Sequence, residues 1–99
     1  MIKHVVLFKF KKDLEESARA EKLSELKQAL DDLKKHIPEL ISIETGINAN
    51  PQESYDLSLI SEFKGWDELK TYVIHPEHQK VAVIIREILE ERACVDYEV

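Results

Sequence analysis

Residues Ile2 to Phe10 alternate as an extended strand does. Ile2, His4, Val6, Phe8 and Phe10 project to one side, and Lys3, Val5, Leu7 and Lys9 to the other. The middle of both faces is apolar, because Val5 and Leu7 back onto Val6 and Phe8. A strand of this kind needs cover on two sides, so helices are expected against one face and a second sheet against the other.

Leu23, Leu26, Leu30, Leu33 and Ile37 then recur at intervals of three and four, the stripe of an amphipathic helix over about Leu14 to His36. Pro38 ends it, because proline disfavours helical geometry in the residue before it. Ile41, Ile43, Thr45 and Ile47 alternate with Ser42, Glu44, Gly46 and Asn48 as a second strand. After a turn over Asn48 to Ser54, Tyr55 to Phe63 forms the return strand of a hairpin. Gly65 opens a short helix containing Trp66, Leu69, Tyr72 and Val73, which should break near Ile74 or His75. Pro76 suits the first turn of a new helix, with Val81, Ile84, Ile85, Ile88 and Leu89 along its buried face. Cys94 to Glu98 closes the chain as a final strand.

Strand, helix, strand, strand, helix pair, strand is the order of an α+β, ferredoxin-like βαββαβ sandwich. The whole of residues 1–99 reads as one domain, without repeat or linker. Such a sheet carries helices on one face only, so Val5 and Leu7 call for a partner, and two sheets face to face would satisfy them. Size points the same way: a domain of 99 residues buries roughly 60–70% of its unfolded surface, which makes self-association attractive.

The formal charge of −6 argues against nucleic acid, which needs clustered Lys and Arg; Lys9, Lys11 and Lys12 read as a solvated strand end. No apolar run approaches the roughly twenty residues of a membrane span. The first residues enter a strand pattern without a visible secretory leader, and the single cysteine, Cys94, permits no internal disulfide. A cytoplasmic setting is the expectation.

Chemistry concentrates in Tyr72-Val73-Ile74-His75-Pro76-Glu77-His78, which gathers three ring side chains with proton-handling capacity in seven positions. His4 in the first strand is a fourth, and of the four histidines only His36 lies elsewhere. With Pro76 as the first helical residue, His78 falls in the first turn, where the helix dipole disfavours imidazolium. A neutral ring can accept a proton. Tyr72, on the far side of the break, is placed to donate to an oxyanion, and His4 to orient substrate or His78.

Each residue also has a plainer reading: His4 as a half-buried strand histidine, Tyr72 as core, His75 as a helix cap, Trp66 as a core or interface anchor, Cys94 as a small packed side chain. Metal binding is the competitor within the same residues, with His75 and His78 three apart and His4 as a third ligand. His75 sits at the helix break, and the chain has neither a His-Glu-x-x-His motif nor a cysteine pair. No metal or cofactor is therefore expected.

The opening Met1-Ile2-Lys3-His4-Val5-Val6-Leu7-Phe8-Lys9-Phe10, the Tyr72 to His78 segment and the element order together resemble the stress-responsive dimeric α/β-barrel (Dabb) family. That resemblance implies a homodimer in which two four-stranded sheets close into a barrel with helices outside. In a plant polyketide cyclase of the family, a first-strand histidine and the tyrosine and second histidine of Tyr-x-x-His-Pro-x-His act in an intramolecular aldol condensation. By motif position these correspond to His4, Tyr72 and His78. The resemblance thus implies a pocket of cyclase or isomerase type, acting on a small carbonyl compound. Two alternatives stay open: a stress-associated dimer that binds a ligand or nothing, and, by fold analogy, a cofactor-free or haem-handling monooxygenase.

Overall fold

The computed structural model describes residues 1–99. Four strands, β1 (Ile2–Phe10), β2 (Ser42–Ile47), β3 (Leu57–Phe63) and β4 (Leu89–Glu98), form one antiparallel sheet in the order β2-β3-β1-β4. Helices α1 (Glu16–Asp32), α2 (Trp66–Ile74) and α3 (Pro76–Ile88) complete the ferredoxin-like order. No helix is long and apolar enough to cross a membrane.

Strand alternation divides the molecule. On β1, the side chains of Ile2, His4, Val6, Phe8 and Phe10 are buried, and the core continues through Leu57, Leu59 and Phe63 of β3 to Leu23, Leu26 and Leu30 of α1. α1 is pinned to β2 by Lys27, whose Nζ donates to the Thr45 carbonyl at 3.0 Å, and by Thr45, whose hydroxyl donates to Asp31 at 2.8 Å. Near the other end of α1, Arg19 donates to Asp56 at 2.9 Å, while Asp56 also accepts from the backbone N–H of Phe10 at 2.8 Å. The far side of the sheet has no helix. Val5 faces Val95 there, and Leu7 and Tyr97 are exposed.

Several boundaries differ from the sequence reading. The first helix is shorter than Leu14 to His36, and its last turn over Leu33–Lys35 tightens to a 3₁₀ turn before Pro38. The return strand begins at Leu57 rather than Tyr55. The largest shift is at the end of the chain. α3 stops at Ile88, and β4 starts at Leu89, five residues before the expected Cys94. The run Val81 to Leu89 has helical spacing, but β1 extends to Phe10, and its free edge draws Leu89 into the ladder opposite Phe10. Ile84, expected on the buried face of α3, is 38% exposed, because Val81 and Ile85 alone meet the core squarely.

Candidate functional site

Pro76 forces the residue before it into extended geometry, and His75 is found at φ −62°, ψ 136°. His75 thereby ends α2 and caps α3, its Nδ1 accepting from the Glu77 N–H at 3.1 Å. Its Nδ1 is committed to the cap. The break also frees the last carbonyls of α2. That of Val73 accepts from Gln79 Nε2 at 2.7 Å and from His78 Nδ1 at 2.9 Å. Because a carbonyl only accepts, Nδ1 of His78 carries the proton and Nε2 keeps its lone pair.

His78 and His4 line one cavity of about 200 Å³ between the sheet and α3. Eight of its twelve lining residues are apolar, among them Val6, Leu30 and Ile85; the others are His4, His78, Arg86 and Arg92. Burial pushes the pKa of His78 below the ordinary histidine value, with the charges of His4, Arg86 and Arg92 adding to it and the Val73 carbonyl opposing it. The expected preference for a neutral ring is thus found, but withdrawal from water is its main cause rather than the helix dipole.

Tyr72 is fully buried. Its ring centroid lies 4.5 Å from that of His78, 5.0 Å from Phe63 and 6.4 Å from His4. It does not itself line the cavity. Its hydroxyl has no hydrogen-bond partner in the protein, and burial raises its pKa well above the usual phenol value, so it stays a donor. Residues from β1, α2 and α3 that are far apart in the chain are therefore brought into one ring cluster, with two of the three on the cavity wall.

Several residues here escaped the sequence reading. Asp96 pairs with His4, accepting from Nδ1. Ser61, opposite His4 on β3, buries a hydroxyl without a partner, as Tyr72 does. Cys94 is not a packed core residue. It is exposed, with Sγ 3.7 Å from His4 Nδ1 and 3.7 Å from Asp96, and burial of the thiol and the neighbouring carboxylate raise its pKa. The ligand atoms of His4, Cys94 and Asp96 lie within 4.8 Å of one another, so these three, rather than His75 and His78, are the set that could converge on a cation. Only the alternation Arg92, Cys94, Asp96 hinted at a shared face. Trp66, at 47% exposed, is not a core anchor of this chain.

A dimeric protein of unknown function and ferredoxin-like fold from Bacteroides fragilis is 40% identical, covering 99% of this chain and 95% of its own, with a TM-score of 0.95. A dimeric ferredoxin-like protein of unknown function from Thermobifida fusca is 25% identical over 99% of this chain and 90% of its own, with a TM-score of 0.85. The hydroxynitrile lyase of Passiflora edulis, 15% identical over 97% of this chain and 90% of its own with a TM-score of 0.80, shares the fold. No curated protein matches the sequence. The family model for the stress responsive A/B barrel domain, Dabb, matches residues 2–99, and the chain belongs to that family.

Proposed function

We propose that the chain is an acid–base enzyme of cyclase or isomerase type acting on a small carbonyl compound, with His78 as the base, Tyr72 as hydroxyl donor and His4 in support. The observation that carries this reading is the state of His78: Nδ1 spent on the Val73 carbonyl, Nε2 unprotonated, and a ring kept neutral beside an apolar cavity. Nε2 takes the proton from a carbon next to a carbonyl, and the C–H electron pair moves onto oxygen as an enolate. In a cyclisation the enolate carbon bonds to a second carbonyl carbon of the same molecule, and the alkoxide so formed takes the proton back from the imidazolium. In an isomerisation the proton returns to a different atom.

The Tyr72 hydroxyl is a protonated, unpartnered donor, suited to an enolate oxygen. The Tyr72 ring packs directly behind that of His78, which lines the cavity, so the phenol lies next to the proposed base. Asp96 accepts from Nδ1 of His4 and so fixes the orientation of that ring on the cavity wall.

The assembly we infer is a homodimer through the helix-free face. Leu7, Val95 and Tyr97 lie exposed on that face beside Val5, and the similar proteins from B. fragilis and T. fusca are described as dimeric.

The acid–base reading is tested with acetylacetone, a neutral β-dicarbonyl, by following deuterium uptake at its central carbon by NMR. The protein should accelerate exchange, and His78→Ala should remove about 10²–10⁴-fold of that acceleration with the sedimentation coefficient unchanged. An unaltered rate in His78→Ala would overturn the assignment.

A further inference from the structure

Acidic residues outnumber Lys and Arg by 20 to 14 in this chain, yet no Asp or Glu lines the cavity beside His78. The charged side chains on its wall that are always cationic are Arg86, in the last turn of α3, and Arg92, on β4 opposite Phe8. The chain has three arginines. Arg19 is paired with Asp56, whereas neither Arg86 nor Arg92 forms an ion pair with any carboxylate. The one side-chain hydrogen bond of Arg86 is a 3.5 Å contact to Gln79. Two arginines from separate elements thus border one largely apolar hollow without a carboxylate partner, in a protein with carboxylates to spare.

We propose that Arg86 and Arg92 form an anion-recognition site that selects, for this cavity, carbonyl compounds carrying a carboxylate. The proposal rests on the acid–base reading only in taking the carbonyl to lie at His78. A guanidinium presents parallel N–H donors that match the two oxygens of a carboxylate, and such charge-assisted bonds strengthen beside an apolar wall. Val81, Ala82, Ile85 and Leu89 take the carbon chain between the charged end and the rings. At about 200 Å³ the cavity is smaller than the roughly 300–1,000 Å³ of sites for drug-sized ligands, which limits the ligand to a short oxo acid.

The test compares acetoacetate with its neutral methyl ester, reading binding from amide shifts of α3 and β4 by NMR, and α-proton exchange in the same samples. The acid should bind about tenfold or more tightly than the ester, as expected for charge-assisted bonds. That preference should shrink with added salt and fall to about unity in Arg86→Gln/Arg92→Gln, two exposed positions where folding is not at stake. Equal affinity for acid and ester in the wild type would overturn the inference, as would a preference that survives in the double variant or the absence of binding by either compound. The two readings separate cleanly. Acid preference without accelerated exchange keeps the anion site and removes the acid–base assignment. Equal, His78-dependent exchange of both compounds does the reverse.

Discussion

On β1, His4, Val6 and Phe8 lie under the helices, each less than a tenth exposed, while one position along, Leu7 is 37% exposed and Val95, across from Val5, is 55% exposed on the opposite face. The same strand builds both surfaces. The helix side is covered by residues of its own chain and holds a largely apolar cavity beside a half-buried histidine that favours the neutral form. The open side mixes Lys and Glu with a smaller apolar group, Val5, Leu7, Ile60, Val95 and Tyr97, and has nothing of this chain to cover it. Alternation decides which residues share a surface, and the position of the helices decides which surface becomes a core.

The largest effect that sharpens this contrast is on stability. Phe63→Ala, deep in the helix-side core, should cost about 3–5 kcal/mol in urea unfolding, whereas Leu7→Ala on the open face should cost about 1 kcal/mol or less within the protomer. Equal costs would mean that the open face is as well packed as the core. Val95→Asp comes next. It should shift the sedimentation coefficient from dimer to monomer, and an unaltered coefficient would break the proposed pairing through this face.

Within the helix side, Tyr72→Phe should change stability by no more than about 1 kcal/mol, because it deletes a buried hydroxyl that has no partner to lose. Exchange of acetylacetone should nevertheless fall about tenfold or more if that hydroxyl serves the enolate. A large stability loss with unchanged exchange would assign Tyr72 to packing alone.

The smallest effect is in pH dependence. The folded pKa of His78 lies below its unfolded value near 6.5, with burial the main cause; His4 from β1, Arg86 from α3 and Arg92 from β4 push the same way. As pH falls through that unfolded value the unfolded chain binds a proton that the folded chain does not, so this contribution to stability declines until the lower folded pKa is passed. His78→Gln should flatten that part of the stability profile between neutral and mildly acidic pH, and an unchanged slope would show that the ring is not held neutral by the fold.

Much of this was legible in the residues. The Leu23 to Ile37 stripe, the β2–β3 hairpin and the break at His75–Pro76 follow from local spacing and proline geometry, and each appears within a few residues of its expected bounds. Leu89 did not, since its helical spacing lost to pairing with Phe10, a partner nearly eighty positions away. Ile84 failed for a related reason: helical period defines a stripe, but only the neighbours of α3 set how wide a stripe is covered. Of the candidate site, the motif segment and His4 could be singled out as chemistry, whereas Asp96, Ser61, Arg86 and Arg92 could not. They carry no local signal, and their place beside His4 or the cavity is set by strand register and by the docking of α3.

The order of elements, the alternation of β1 and the cap at His75 were determined by the chain itself, because backbone preference and side-chain period act over a few residues. The pairing of His4 with Asp96, the closure of Tyr72 against His78 and the meeting of two arginines at an apolar hollow were decided only in three dimensions. Burial and electrostatics depend on distance through space, and a linear pattern does not record which distant segment will supply the neighbour.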